Sequence, residues 1–145
     1  MASITFYNNA TKNILDGTID LDGDTIKVAL HSNSYTPSVV HDFYNDITNE
    51  IASGGGYTTG GEALGSKAVT TVTTNDAKLD ASDVTWSANA SGFSTARYAV
   101  IYKSTGTSST SPLIGYINFI SDQDNVNNDL TIKWNVNGIL QLTTS

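Results

Sequence analysis

Two histidines, His31 and His41, are the side chains of this sequence whose ordinary pKa lies near neutrality, so acid–base or nucleophilic chemistry would have to begin with them. His31 is followed by Ser32 and His41 by Asp42, but Ser and Asp are so plentiful that a Ser/His/Asp set on paper has little weight. No Gly-x-Ser-x-Gly elbow is present to force a serine into exposure. Cysteine is absent, which removes thiol nucleophiles, thiolate metal clusters and disulfide frameworks together.

Carboxylates offer the next chemistry. Asp20, Asp22 and Asp24 alternate in the run DLDGD, a density of hard oxygen donors that suggests a calcium loop. The spacing fails, because a loop counted from Asp20 requires Gly where Thr25 stands and Glu where His31 stands. Asp122, Asp124 and Asp129 form a second cluster diluted with Asn, and both clusters read as turns whose short polar side chains bond the local backbone. Asp80 and Asp83 are near enough in sequence for glycosidase work, yet a chain this short has little wall from which to build a cleft. The glycines between 54 and 61 lack the lysine of a phosphate loop and read as the most flexible stretch. Trp86, Trp134 and the tyrosines sit mainly in strand-like patterns and read as core or interface filling. Arg97, the single arginine, lies in an apolar run and calls for a carboxylate partner or a subunit contact. No catalytic, cofactor-binding or metal-ligating residue is therefore assigned, and no enzyme activity is expected.

The elements that would position these side chains are strands. Residues 25–31 (TIKVALH) alternate Ile26, Val28 and Leu30 with Lys27 and Ala29, and residues 96–103 (ARYAVIYK) are apolar on both faces. Residues 112–120 open on a proline and continue with aromatic and β-branched residues. Residues 130–136 and 139–143 flank Asn137-Gly138, which predicts a type I′ hairpin. Residues 2–7, 68–74, 77–79 and 84–86 are further candidates, for a total of about eight or nine strands. Residues 10–16 predict a short helix ended by Gly17, and residues 42–51 fit either a second helix or an ordered loop. Residues 104–111 read as a polar loop. The whole predicts one all-β domain over residues 1–145, with one or two short helices, as an antiparallel, jelly-roll-like β-sandwich.

Composition narrows the partners. The chain has 145 residues, 39% hydrophobic and 14% charged, with a formal net charge of -7, and its cations are scattered singly. Such a surface repels nucleic acid and anionic lipid, and no stretch is apolar enough for a membrane span. The opening MASITFYNNA lacks the charged and apolar regions of a cleaved export signal, so the sequons at Asn9 and Asn89 read as chance.

The phrases ILDGTIDLDGDTIKVALHSNSYTPS, HDFYNDITNEIASGGGYTTGG, DVTW, ARYAVIYKSTG, PLIGYINF and LTIKWNVNGILQL, in that order and over most of the chain, resemble a group of small virion structural proteins of tailed bacteriophages. The resemblance implies a small, mostly β, oligomeric protein, in the first place a capsid decoration or cement protein on the outer surface of the head. Its expected partners are the major capsid protein and itself, as a dimer or trimer, with residence in the host cytoplasm during assembly. No functional residue carries over. The alternative is a tail or fibre-associated module that binds a host-surface glycan or another tail protein. A hydrolase built on His31 or His41 is the weakest reading. Expected contact regions are residues 2–7, which could add a strand to a neighbour, and the loops 32–44 and 53–61.

Overall fold

A computed structural model describes residues 3–73 and 75–143. Its centre is a five-stranded antiparallel sheet built on the three segments with the clearest alternation. Strand β2 (Ile26–Ser32) pairs with β7 (Ala96–Lys103), and β7 pairs with β8 (Leu113–Gln123). The short strands β1 (Ile4–Phe6) and β3 (Glu62–Ala63) close the edges, giving the order β1-β8-β7-β2-β3.

Period-two alternation sends successive side chains to opposite faces, and both faces are covered. Ile26, Val28 and Leu30 of β2, with Ala99 and Ile101 of β7 and Ile117 of β8, join one apolar cluster. The same cluster takes in Leu79 of β5 (Ala77–Asp80), Val84 and Trp86 of β6 (Val84–Trp86), and Leu130 and Ile132 of β9 (Leu130–Ile132). Strand β5 lies between β4 (Ala68–Thr71) and β10 (Leu140–Leu142), while β6 pairs with β9, so two small sheets pack on this side. Each fully buried aliphatic side chain contributes about 1.5–3 kcal/mol of transfer free energy, which makes this face the main source of stability.

The opposite face is aromatic. Ala29, Val100, Tyr102 and Leu113 meet Tyr7, Tyr35 and Ile47, with Tyr44, Tyr98 and Tyr116 packed around them. The cover here is the segment 33–47, whose regular structure is one 3₁₀ turn at Tyr44–Asp46, so the loop reading of residues 42–51 holds over the helical one. Asp46 explains why: its carboxylate accepts the Asp42 and Phe43 backbone N–H groups at 2.9 and 3.1 Å, which fixes a turn rather than a helix. Tyr44 stacks on Tyr102 with ring centroids 4.0 Å apart. The short helix α1 (Ala10–Leu15) forms as expected and ends at Gly17, whose φ of +80° suits glycine.

The described chain is all-β with one short α-helix, and every strand pairing is antiparallel. Two local expectations are corrected. The turn before Gly138 exists, but its hydrogen bond runs from Gly138 N–H to Asn135 O at 2.8 Å, and Asn137 does not adopt the positive φ of a type I′ turn. The hairpin is limited to one antiparallel bridge, between Asn135 and Gly138, and the flanking strands then separate: β9 joins β6, whereas Ile139 and Leu140 turn to Leu79 of β5. Strand β4 ends at Thr71, and position 74 of the expected strand lies outside the described residues, as does position 2 of the first.

The β7–β8 ladder is irregular at both ends. Tyr98 faces Asn118 but Ala96 faces Gln123, so residues 119–122 stand opposite Arg97 alone. Arg97 pins this bulge through Asp122, with Nε donating to Oδ1 at 2.8 Å, and Asn33 Nδ2 holds the other carboxylate oxygen at 2.8 Å. The carboxylate partner expected for Arg97 is thus Asp122.

Candidate functional site

The histidines are brought to the aromatic face and are engaged within it. His31 is 1% exposed; Nδ1 donates to the Thr48 carbonyl at 2.9 Å, which leaves Nε2 to accept from the Tyr44 hydroxyl at 3.3 Å. Burial pushes the His31 imidazole below its usual range, outweighing the Thr48 carbonyl and the Glu50 charge, which favour the cation. His41 meets the Tyr35 hydroxyl at 3.1 Å, and that hydroxyl in turn meets Tyr7 at 3.1 Å. Ser32, the paper nucleophile, points its hydroxyl to the Ser34 N–H at 3.3 Å. These bonds join sheet to cover and converge on no shared opening.

The carboxylates are spent on turns. Asp20 Oδ1 accepts the Asp22 and Gly23 N–H groups at 3.0 and 2.9 Å, which holds its carboxyl below the usual carboxylate range. Asp24 accepts the Asp20 N–H at 2.8 Å and pairs with Lys103 at 2.8 Å, while Asp22 accepts the Val69 N–H at the edge of β4. Asp124 caps Val126 and Asp129 caps Ala88, and Asp80 and Asp83 serve Ala81 and Trp134. Among the described residues no three His, Asp or Glu side chains are grouped to hold a metal ion. Trp86 is fully buried, and the Trp134 indole donates to Ser82 O at 3.0 Å.

The glycine stretch is tied to its surroundings at several points. Tyr57 is buried, exchanges two backbone hydrogen bonds with Gly54, and donates its hydroxyl to Glu50 at 2.7 Å. Gly61 lies so close to β2 that a Cβ there would meet the Val28 carbonyl at 2.0 Å. Two polar residues that carry no local sequence signal, Glu50 and Asn125, organise this region. Glu50 receives the Tyr57 hydroxyl and the Gly60 N–H. Asn125, fully buried, donates to Gly55 O and Ser87 O, each at 2.9 Å, and accepts the Phe93 N–H at 2.9 Å, tying three loops together. A shallow depression of about 670 Å³ lies beside them, lined mainly by small side chains between 49 and 55 and between 91 and 95.

Several large apolar side chains are left at the surface. Strand β1 is an edge strand without charge or proline, and its Phe6 is 40% exposed. Val39 and Val40 project from the cover segment, and Leu15 from α1. Ile120, in the bulge of β8, is 84% exposed. Beside it a groove of about 440 Å³ runs between β8 and β9. Among the described residues no helix is long and apolar enough to cross a membrane. No family model, no curated protein and no solved structure matches the chain.

Proposed function

We propose that this chain is a structural protein of a tailed-phage virion, a decoration or cement protein that docks as a homo-oligomer on the outer surface of the head and strengthens it. The observation that carries the reading is the division of labour among side chains. His31, Glu50 and the Arg97–Asp122 pair are occupied in holding loops to the sheet, while the uncharged edge strand β1 and isolated large apolar residues are left at the surface. That division suits a molecule that works by contact. The resemblance of its sequence phrases to small phage virion proteins supplies the setting.

The physical logic follows from linkage. A ligand that binds the assembled lattice and not its separated subunits stabilises the lattice by RT ln(1 + [L]/Kd), which at a hundredfold excess over Kd is about 2.7 kcal/mol per site. Repetition over a symmetric shell multiplies modest contacts through effective concentration. A net charge of -7 keeps the chain from the packaged nucleic acid and suits the outside of the shell.

The test is placement and effect. Purified chain added to heads lacking it should sediment with them and raise the temperature at which they release DNA; immunogold labelling should mark the head. Labelling of the tail, or no co-sedimentation at micromolar concentration, would overturn the cement reading. Glycan-array binding would then favour the tail or fibre alternative, with the depression beside Glu50 as the place to look.

A further inference from the structure

The bulge in β8 has two features that a purely structural kink would not need. Ile120 has φ of +69°, the left-handed region that β-branched side chains almost never occupy, and its side chain is 84% exposed. A strained backbone that points an isoleucine into water gains nothing from local packing. Asn, Asp or Gly would hold the same turn at less conformational cost. The turn itself is secured without the isoleucine, by the Asn118 side chain accepting the Ile120 N–H at 2.8 Å and by the Arg97–Asp122 pair at its end.

Next to this knob lies its counterpart. The groove of about 440 Å³ between β8 and β9 is lined by Ser3, Ile117, Phe119, Ile132 and Lys133, with Ile120 itself on its lip. Ile117 and Ile132 are buried floor, and Phe119 is half-buried wall. We propose that this knob and groove form a self-association face, through which two copies of the chain pair about a two-fold axis, each placing Ile120 in the groove of the other. The inference rests on the reading of the chain as a protein that works by contact, and it names the surface by which it meets itself.

A second copy is the occupant that the observations favour, for two reasons. Knob and hole stand side by side on one patch, so a two-fold operation makes the patch complementary to itself, as an isologous interface requires. Charge points the same way. Two copies carrying -7 each repel, and the groove lining contains no carboxylate and one cation. Among the described residues Lys133 takes no part in the ion pairs, which use Lys12, Lys78, Arg97 and Lys103. Asp122, at the end of the same bulge, is already paired with Arg97, so this face adds little to the repulsion between two acidic copies.

Sedimentation of the full chain over a concentration series tests this with the protein alone. The wild type should dimerise. Ile120→Asp should raise the dimer dissociation constant by about 30-fold or more, the loss expected for a central anchor. Ile120→Gly should weaken the dimer as well, yet melt higher than the wild type at concentrations where both are monomeric, because glycine accepts the positive φ. Leu15→Asp, on a different exposed apolar residue, should leave the dimer intact. A wild type that stays monomeric, or a dimer indifferent to both Ile120 variants, would overturn the proposal. The glycine variant keeps the test decisive if the aspartate variant does not fold. A monomer that still sediments with heads would overturn this inference alone; a dimer that ignores heads would overturn the head-binding reading alone.

Discussion

Asn125→Ala is the substitution on which the account of the loops can be checked most directly. The side chain is fully buried and makes three hydrogen bonds, to Gly55 O, Ser87 O and the Phe93 N–H. Each is worth about 1 kcal/mol net, and the groups left behind lose some solvation as well, so the expected loss is about 3–5 kcal/mol. Against a typical total of about 5–15 kcal/mol this is a large share. With a urea m-value of about 2 kcal/mol/M, the unfolding midpoint should fall by about 1.5–2.5 M at unchanged m. Asn125→Asp sharpens the argument. It keeps an oxygen for the Phe93 N–H but turns the donor that serves two carbonyls into an acceptor facing them, in a site that excludes the water a carboxylate needs. The aspartate variant should therefore be no more stable than the alanine variant. Urea unfolding followed by tryptophan fluorescence measures both. An alanine variant within 1 kcal/mol of wild type, or an aspartate variant clearly more stable than alanine, would refute the reasoning.

Three further outcomes are expected. His31 is buried neutral with its pKa lowered, so the unfolded chain binds its proton first and stability should fall as pH drops below about 6.5 toward the folded value; His31→Phe should flatten that slope in melting curves between pH 7.5 and 5. Gly17→Ala and Gly61→Ala should differ sharply in thermal unfolding: both glycines have positive φ, but the first has open space and should lose about 1 kcal/mol, whereas the second drives a Cβ into the Val28 carbonyl and should lose several times that. Burial pushes the Tyr7, Tyr44 and Tyr57 hydroxyls far above their usual range and Tyr102 up to about 12. Because the unfolded phenols ionise near pH 10, stability should decline above that pH, and part of the 295 nm absorbance rise should coincide with loss of circular dichroism instead of preceding it.

The strands that carry both faces of the sheet were the most legible part of the sequence. The strand at Ala96–Lys103 is read to the residue, because alternating apolar side chains on two faces admit few other structures. The Asn137-Gly138 signal misleads because a local turn preference does not choose the partners of the strands it joins; the apolar edge of β5 does. Asn125 was invisible because it stands in a run of Asp and Asn whose other members are exposed or nearly so, and burial of one amide among them depends on three loops brought together from afar. Glu50 carries no local signal either, because the Tyr57 hydroxyl and Gly60 N–H that it accepts come from the following glycine stretch. The glycine stretch looked loose because glycine permits motion, yet here it also permits close approach, and Tyr57 supplies the anchor. Nothing in composition announces that Ile120 adopts a positive φ, since an isoleucine in a β-rich segment is the ordinary sign of a regular strand.

Strand β1 pairs with β8, Ile4 opposite Ile117, so the first strand of the chain finds its place only beside one of the last. During synthesis the long ladder of β2 must likewise wait for β7, and β8, the one strand that pairs with β1, leaves the ribosome later still. A nascent chain therefore displays the uncharged strip ITF, unpaired, through most of translation. Contacts this distant along the polymer close slowly. The kinetic hazard of this architecture is thus concentrated at its first strand, which other unpaired strands can capture before the proper partner exists.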